Sequence, residues 1–97
     1  MLTRIVQMTF EPENIASFER IFSESSEHIR AFPGCLKLEL LRDLNHPEVF
    51  ITYSIWESES HLEAYRNSEF FRTVWARTKK LFARKPQAWS LQSRGGP

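Results

Sequence analysis

The sequence has little of three features that would indicate a special environment: cysteine, an excess of one charge, and long hydrophobic runs. Cys35 is the only cysteine among the 97 residues, so no disulfide can form within the chain. The formal net charge is only +1, and no apolar stretch is long enough to span a membrane. The N-terminus does not resemble a signal peptide, because Arg4 comes early and the residues after it alternate. We therefore expect a cytoplasmic protein.

Glycine and histidine are also scarce. The three glycines are Gly34 and an adjacent pair near the C-terminus, so there is no glycine-rich loop of the kind that binds phosphate. The histidines, His28, His46 and His61, are scattered, and neither they nor Cys35 have the spacing of metal ligands. We expect no metal site, with His46 and His61 at the surface.

The charges are unevenly distributed along the chain. Residues 72–97 contain seven basic residues and no acid, whereas residues 1–71 contain six bases and twelve acids. A basic segment can bind nucleic acid, but these bases are not interleaved with aromatic residues on a strand. Several of them lie at the predicted end of a helix, where cations are favourable. We expect no nucleic-acid binding, and a solvated basic helix end that faces an acidic neighbour such as the Glu-rich first helix.

The sequence is rich in apolar residues, with 41% hydrophobic and 13% aromatic content. A core built by so short a chain cannot be divided, so we predict one domain over residues 1–93. Residues 94–97 should form a flexible C-terminal tail. A chain of this size buries only about two-thirds of the surface that its unfolded form exposes, so pairing with a second copy would add stability.

Two periodicities divide the chain into structural elements. Alternation predicts strands over residues 2–10 and 35–41, and β-branched and aromatic content predicts one over residues 49–56. Trp89 and Leu91, on one side of the chain, indicate a short strand over residues 87–92. Helical spacing predicts a first helix after Pro12 that stops before residues 32–35, and a second helical region that breaks near Asn67 and Ser68 and ends at Pro86. Ser58 and Ser68 are predicted to cap the two parts of that region. In the second strand, Leu36, Leu38 and Leu40 are predicted to share the buried face.

The order of these elements is β-α-β-β-α-β, which predicts an α+β protein with the ferredoxin-like fold. In this fold a four-stranded antiparallel sheet carries both helical regions on one face. The other face of the sheet is then left bare. Because an exposed apolar area of that size usually binds a partner, we predict a homodimer in which two sheets stack face to face.

Two stretches carry a resemblance to a known family. Residues 56–71, "WESESHLEAYRNSEFF", place a tryptophan at a strand end, then a capping serine, a helical leucine and tyrosine, and a serine that opens the next helix. Residues 32–40, "FPGCLKLEL", enter a strand through proline and glycine. In these features the chain resembles, over about residues 2–93, the antibiotic biosynthesis monooxygenase (ABM) domain family. The resemblance implies a dimeric α/β barrel built from ferredoxin-like subunits.

The resemblance implies the fold more specifically than the chemistry, because the family includes quinol or phenol oxidases, haem-degrading enzymes and members without known activity. Its haem-degrading members use an asparagine on the first strand and a histidine on the last helix. The aligned positions here hold Val6 and Trp75, so we do not expect haem degradation. The polyketide-modifying members imply a monooxygenase that needs no cofactor and oxidises a small aromatic, phenol- or quinol-like substrate. Thr52 and Leu62 stand where those members have asparagine and tyrosine.

Oxidation without a cofactor needs an apolar, water-poor pocket and a polar group that accepts the proton of the substrate. Aromatic walls are expected for such a pocket, and Trp56, Tyr65, Phe71 and Trp75 are our candidates for binding the substrate. Large aromatic residues at helical spacing can instead simply fill a core. The alternative function is therefore a non-catalytic homodimer that binds a small apolar molecule or only assembles, with Trp75 and Phe82 filling the interior.

Two residues of the first helix could also contribute. His28 borders the apolar stripe, so its ring either points between helix and sheet as a base or keeps its polar edge in water. We name His28 and Trp56 as the catalytic candidates. Ser25 lies in the middle of the stripe, where it either opens a cavity or donates its hydroxyl to the carbonyl four residues earlier.

Overall fold

The computed structural model describes residues 1–96 and confirms the predicted ferredoxin-like fold. Its elements are β1 (Leu2–Thr9), a short 3-10 helix (Pro12–Asn14), α1 (Ile15–Arg30), β2 (Cys35–Arg42), β3 (Val49–Trp56), α2 (Glu59–Arg66), α3 (Glu69–Lys79) and β4 (Gln87–Leu91). The strands are antiparallel and lie in the order β2-β3-β1-β4. The predicted break in the second helical region separates α2 from α3.

Residues 92–96, which follow β4, have no regular secondary structure. Residues 92–96 are exposed, and Pro97, the last residue of the predicted tail, lies outside the described residues. No helix between residues 1 and 96 is both long enough and apolar enough to cross a membrane.

The sheet has a face covered by the helices and an outer face. On β3, Phe50, Ser54 and Trp56 are buried on the covered face, and Thr52 lies on the same side, where it lines the space beneath the helices. Ile51, Tyr53 and Ile55 point outwards. Buried residues form two clusters beneath the helices, one around Trp56 and the other around Phe10. Phe10 is fully buried and stacks on Phe18 of α1 with ring centroids 4.2 Å apart.

Serine residues cap α2 and α3, as predicted. Ser58 Oγ accepts a hydrogen bond from the backbone N–H of His61 at 3.2 Å, and Ser68 Oγ accepts one from Phe71 at 3.1 Å. Each bond satisfies one of the backbone donors that the first turn of a helix leaves free. The caps therefore fix where both helices begin.

The end of α3 differs from the prediction. The helix ends at Lys79, well before Pro86, because the chain must turn there to run beside β1. Ala83 N donates to Thr9 O at 2.8 Å, and Phe82 forms a single bridge with Phe10. Phe82 therefore packs in the core as part of an extended connection and not as part of the helix.

An irregularity in β2 also changes the predicted faces. The pairing of β2 with β3 shifts by one residue between Cys35 and Lys37, so Leu36 is an extra residue in the strand. The prediction that Leu36 shares the buried face with Leu38 and Leu40 is therefore wrong for Leu36, which is 53% exposed. Leu38 is buried as predicted.

The basic end of α3 lies beside the acidic first helix. Arg77 Nη2 is 3.6 Å from Glu24 Oε1 on α1, and both side chains are about half exposed. An exposed ion pair of this kind contributes only about 0–1 kcal/mol. The contact nevertheless gives one base of this segment the acidic neighbour that was predicted for it.

Gly34, between α1 and β2, is required for two separate reasons. Its φ angle is 87°, in the left-handed region that favours glycine. A Cβ atom at this position would also collide with the ring of His61. That ring, expected at the surface, is half-buried, and its Nδ1 lies 2.6 Å from Ser58 Oγ. The turn is thereby packed against the start of α2.

We expect Gly34→Ala to lower the free energy of unfolding by about 2 kcal/mol, because left-handed strain costs roughly 1–2 kcal/mol and the collision adds to it. Urea unfolding of the single variants and of the double variant with His61→Ala separates the two causes. The double variant should regain the part due to the ring, but not the part due to strain or to the Cβ of residue 61, which also lies too near. Additive losses in the double variant would show that the ring of His61 plays no part.

Candidate active site

A cavity lies between the sheet and the helices. Its volume is about 260 Å³, and its lining, mainly apolar, comes from all four strands and all three α-helices. A cavity of about 150 Å³ lined by aliphatic and aromatic side chains is large enough to bind benzene in another protein. This cavity can therefore hold one substituted aromatic ring.

Trp56 lines the cavity from the end of β3. Its side chain is almost fully buried, and its Nε1–H donates to the hydroxyl of Ser54 at 3.0 Å. Ser54 is buried as well, so this bond satisfies two buried polar groups together. Because the N–H is already used, Trp56 offers the cavity an apolar ring and no free donor.

The other predicted wall residues also line the cavity: Tyr65 from α2, and Phe71 and Trp75 from α3. Tyr65 stacks on Trp56 with ring centroids 5.0 Å apart. Phe71 meets Tyr65 edge-on at 5.0 Å and stacks on Trp75 at 5.9 Å. The four residues, which we call the aromatic wall, are thus in one continuous series of ring contacts. Their role in binding a substrate stays a prediction.

His28 does not join the aromatic wall. It lies on the exposed side of α1, where its ring stacks on Phe70 with centroids 3.8 Å apart. It is not among the residues that line the cavity. The position expected of a base, between helix and sheet, is therefore not observed for His28. The alternative, a ring at the border of the apolar stripe with its polar edge in water, describes its position.

Ser25 shows both of the properties that were considered for it. Its Oγ donates to Ile21 O at 2.7 Å, four residues earlier in α1. It is also buried and lines the cavity. Because the side chain is small and its hydroxyl is bonded to the helix backbone, Ser25 leaves open space where a larger apolar residue would otherwise lie.

Two arginines at the cavity were not predicted from the sequence. Arg4 of β1 and Arg66 at the end of α2 both belong to its lining. Arg4 Nη1 donates to Ser90 Oγ at 2.9 Å, and Arg66 Nη1 lies 3.1 Å from Glu63 Oε1. Burial, and after it the positive charge of Arg66, lowers the pKa of Arg4 below its usual value. The cavity therefore combines aromatic walls with two guanidinium groups.

The signal that could have found Arg4 is its register in β1. Leu2, Val6 and Met8 point to the helix-covered face, and Arg4 falls on the same side of the strand. A charged residue on a buried face is the informative exception to the usual pattern. Arg66 carries no such signal, because an arginine in the last turn of a helix is ordinary.

The thiol of Cys35 packs against the cluster of Trp56 and Tyr65 but does not belong to the lining of the cavity. Cys35 is half-buried at the start of β2, and burial raises the pKa of its thiol, which makes it a poor nucleophile at neutral pH. Among residues 1–96, no three His, Cys, Asp or Glu side chains are grouped so that they could hold a metal ion. What the described lining does offer to a ligand is aromatic rings, hydroxyls and guanidinium groups.

The phenol of Tyr65 leads to a prediction about pH. Burial, and after it the charge of Cys35, raises the pKa of Tyr65 well above its ordinary value of 10.0. A pKa that is higher in the folded than in the unfolded protein stabilises the fold below the unfolded value. That stability is lost as the pH rises through the folded value.

We therefore expect the free energy of unfolding to fall above about pH 10, by about 1 kcal/mol per pH unit, as far as Tyr65 is responsible. Tyr65→Phe should remove that part of the fall. Urea unfolding at a series of fixed pH values measures the effect. Equal slopes in the wild type and in Tyr65→Phe would contradict it.

Comparison with known proteins agrees with this architecture. A family model described as antibiotic biosynthesis monooxygenase matches residues 1–77. The chain belongs to this family. The resemblance found in the sequence is thereby confirmed, and the matched segment includes all four residues of the aromatic wall.

Solved structures share the fold of this ABM protein. A crystal structure of an antibiotic biosynthesis monooxygenase has a TM-score of 0.92 at 22% identity, and the match covers 98% of this chain and 100% of that one. A structure from Mycobacterium tuberculosis has a TM-score of 0.90 at 16% identity, with 98% and 96% covered. One from Pseudomonas aeruginosa has a TM-score of 0.85 at 24% identity, with 97% and 94% covered. Similarity at these identities shows the fold alone. No curated protein matches the sequence significantly.

Proposed function

We propose that this ABM-family protein is a cofactor-independent monooxygenase that oxidises a small phenol or quinol in its cavity. The observation that carries the proposal is the aromatic wall of Trp56, Tyr65, Phe71 and Trp75 around a space of about 260 Å³. Aromatic side chains arranged in this way bind a flat aromatic ligand through stacking and edge-to-face contacts. A largely apolar lining also keeps water away from a reactive intermediate.

In this reaction the substrate supplies the electrons. A phenol loses its hydroxyl proton, and the phenolate passes an electron to O2. A ring carbon then forms a bond to one oxygen atom. Loss of the hydrogen at that carbon, with cleavage of the O–O bond, leaves a quinone carbonyl on the ring and releases the other oxygen atom as water. One phenol and one O2 thus give one quinone and one water, so no separate reductant is needed.

The chain contributes by holding the ring and controlling its surroundings. The phenol of Tyr65 is protonated at neutral pH, and burial raises its pKa further, so it stays a hydrogen-bond donor and does not become a second phenolate beside the substrate. The proton of the substrate passes to water at the mouth of the cavity. The proposal does not involve haem, because the described lining contains none of the three histidines that could hold its iron.

We further propose that two copies pair through the outer faces of their sheets. Apolar residues of all four strands lie on that face: Ile5, Leu41, Ile51, Ile55, Trp89 and Leu91. In the single chain Leu41, Trp89 and Leu91 are each between 41% and 48% exposed. A second copy would cover this surface while leaving the cavity on the other side of the sheet.

The pairing is tested by light scattering on the eluate of a size-exclusion column. We expect the mass of two chains for the wild type, and the mass of one chain for Ile51→Glu, which places a charge in the centre of the outer face. Ser23→Glu on the exposed side of α1 is the control and should leave the mass unchanged. A wild-type mass of one chain at micromolar concentration would overturn the proposed dimer.

The oxidation is tested by following O2 consumption with a panel of phenols and quinols. We expect protein-dependent consumption for at least one single-ring compound, and about a tenfold loss of that rate in Trp75→Leu, because an aromatic contact contributes about 0.5–1.5 kcal/mol beyond its area. His28→Ala, outside the cavity, is the control and should keep the wild-type rate. No protein-dependent consumption across the panel would overturn the proposed activity.

Non-catalytic binding of a small aromatic molecule is the second candidate. Two polar groups at the cavity favour it, because the N–H of Trp56 and the hydroxyl of Ser25 are both bonded within the chain and neither is free to act on a substrate. Saturable binding of the panel compounds without O2 consumption would support this function.

A further inference from the structure

We propose that the natural ligand of the cavity is an aromatic acid, whose ring lies against the aromatic wall and whose carboxylate lies between Arg4 and Arg66. The inference rests on the proposed function in taking the cavity as the substrate site. It adds to that function a substrate class, a phenol or quinol that carries a carboxylate. It also identifies Arg4 and Arg66 as the residues that set the specificity for a carboxylate.

Arg4 provides the first argument. It comes from a strand face that is otherwise apolar, it is partly buried, and it belongs to the lining of the cavity. Its hydrogen bond to the neutral hydroxyl of Ser90 uses only part of its donor capacity, since a guanidinium group has five N–H donors. In the described part of the chain, no carboxylate lies within ion-pair distance of Arg4. A half-buried cation without an acidic partner is suited to bind an anion.

Arg66 provides the second argument. It lies in the last turn of α2 and lines the same cavity, so two positive groups share one site. Burial is the main cause of the lowered pKa of Arg4 and the positive charge of Arg66 is the second, so the two like charges are mutually unfavourable. Glu63 offsets only part of this repulsion, since it bonds to Arg66 from the exposed side of α2. An anion between the two arginines would remove the rest.

The chemistry of the two groups indicates a carboxylate in particular. The planar fork of a guanidinium group matches the two oxygens of a carboxylate in a bidentate pair. The space beside the arginines is bounded by aromatic rings, and it holds little more than one substituted ring. The ligand that uses both features is a single aromatic ring with a carboxylate at one end. A neutral quinol would leave Arg4 without an anion within ion-pair distance, and Arg66 with Glu63 alone.

Two probes of nearly equal shape test this inference: 2,5-dihydroxybenzoate, which carries the charge, and 2,5-dihydroxybenzamide, which does not. Binding is measured anaerobically at neutral pH by isothermal titration calorimetry. We expect the wild type to bind the benzoate at least about tenfold more tightly than the benzamide, because a charge-assisted bond is roughly twice as strong as a neutral one. The preference should weaken as salt is added.

Variants show whether the two arginines produce the preference. Arg4→Gln and Arg66→Gln should each lose about tenfold in affinity for the benzoate, with little change for the benzamide, and Arg66→Lys should keep part of the affinity. Glu63→Gln should bind the benzoate more tightly, because it removes a competing carboxylate from Arg66. Arg72→Gln, exposed on α3 and outside the cavity, is the control.

The outcomes separate this inference from the proposed oxidation. Equal affinities of the wild type for the two probes, or a preference that survives both arginine-to-glutamine changes, would overturn the aromatic-acid ligand even if neutral quinols are oxidised. Preferential binding of the benzoate that depends on both arginines would support it even if no compound of the panel consumes O2. In that case only the oxidation would be wrong.

Discussion

Replacing Phe10 with alanine is expected to lower the free energy of unfolding by about 3–5 kcal/mol, the usual cost of removing a buried phenylalanine ring. Phe10 has no exposed surface, and its ring contacts those of three other residues, Phe18, Phe50 and Phe82. These three belong to α1, β3 and the connection before β4. The loss of one ring therefore leaves a hole where four segments of the chain meet.

The effect is measured by urea unfolding followed by circular dichroism. A domain of this size has a total stability of only about 5–15 kcal/mol, so Phe10→Ala removes a large share of it. Phe10→Leu, which fills more of the hole, should lose about half as much. Leu44→Ala is the control, since Leu44 is 98% exposed and should change the stability by less than about 0.5 kcal/mol. A loss below 1 kcal/mol in Phe10→Ala would contradict the packing described around it.

The main elements could be predicted because each has a clear local signal. The helical spacing in α1 reflects burial on one side, which repeats with the geometry of the backbone, and β3 is rich in β-branched and aromatic residues. The caps of α2 and α3 were predictable for a local reason, since a serine hydroxyl bonds to a backbone N–H three residues later.

Where the prediction failed, contacts between distant segments decide the structure. Leu36 continues the alternation of β2, but the pairing with β3 shifts at this point and turns its side chain outwards. Phe82 continues the helical spacing of α3, but its bridge to Phe10 takes it out of the helix. Neither partner lies near in sequence, so no local pattern shows the change.

The candidate site, too, was predictable from the sequence only in part. The aromatic wall was predictable because Trp56 ends a strand and Tyr65, Phe71 and Trp75 follow at helical spacing. That the space beside them is open was not, since filled and open interiors have the same hydrophobic pattern. That Arg4 and Arg66 line the same cavity was not predictable either, because β1 and the end of α2 are distant in sequence and only the tertiary structure brings them to one site.

Ser25→Leu is expected to make the protein more stable and at the same time to abolish most ligand binding. Ser25 is buried at the cavity, and its hydroxyl bonds only to the carbonyl of Ile21. A leucine side chain there would fill part of the open space without leaving a buried polar group unpaired. We expect a gain of about 1 kcal/mol, below the 1.5–3 kcal/mol for full burial of leucine because some repacking is needed. The volume that the leucine side chain occupies is then no longer available to the aromatic ring of a ligand.

The matched control is Ser23→Leu, the same change on the exposed side of the same helix. It should leave stability within about 0.5 kcal/mol of the wild type and should not change binding. Ser25→Leu should bind 2,5-dihydroxybenzoate at least about tenfold more weakly, and both variants are compared by calorimetry and urea unfolding.

Unchanged binding together with higher stability would place the ligand site away from this cavity. Lower stability than in Ser23→Leu would show that the space beside Ser25 is already filled. If the cavity is kept open for a ligand, filling it should raise the stability and weaken the binding. An interior that serves only to stabilise the fold would gain nothing from empty space.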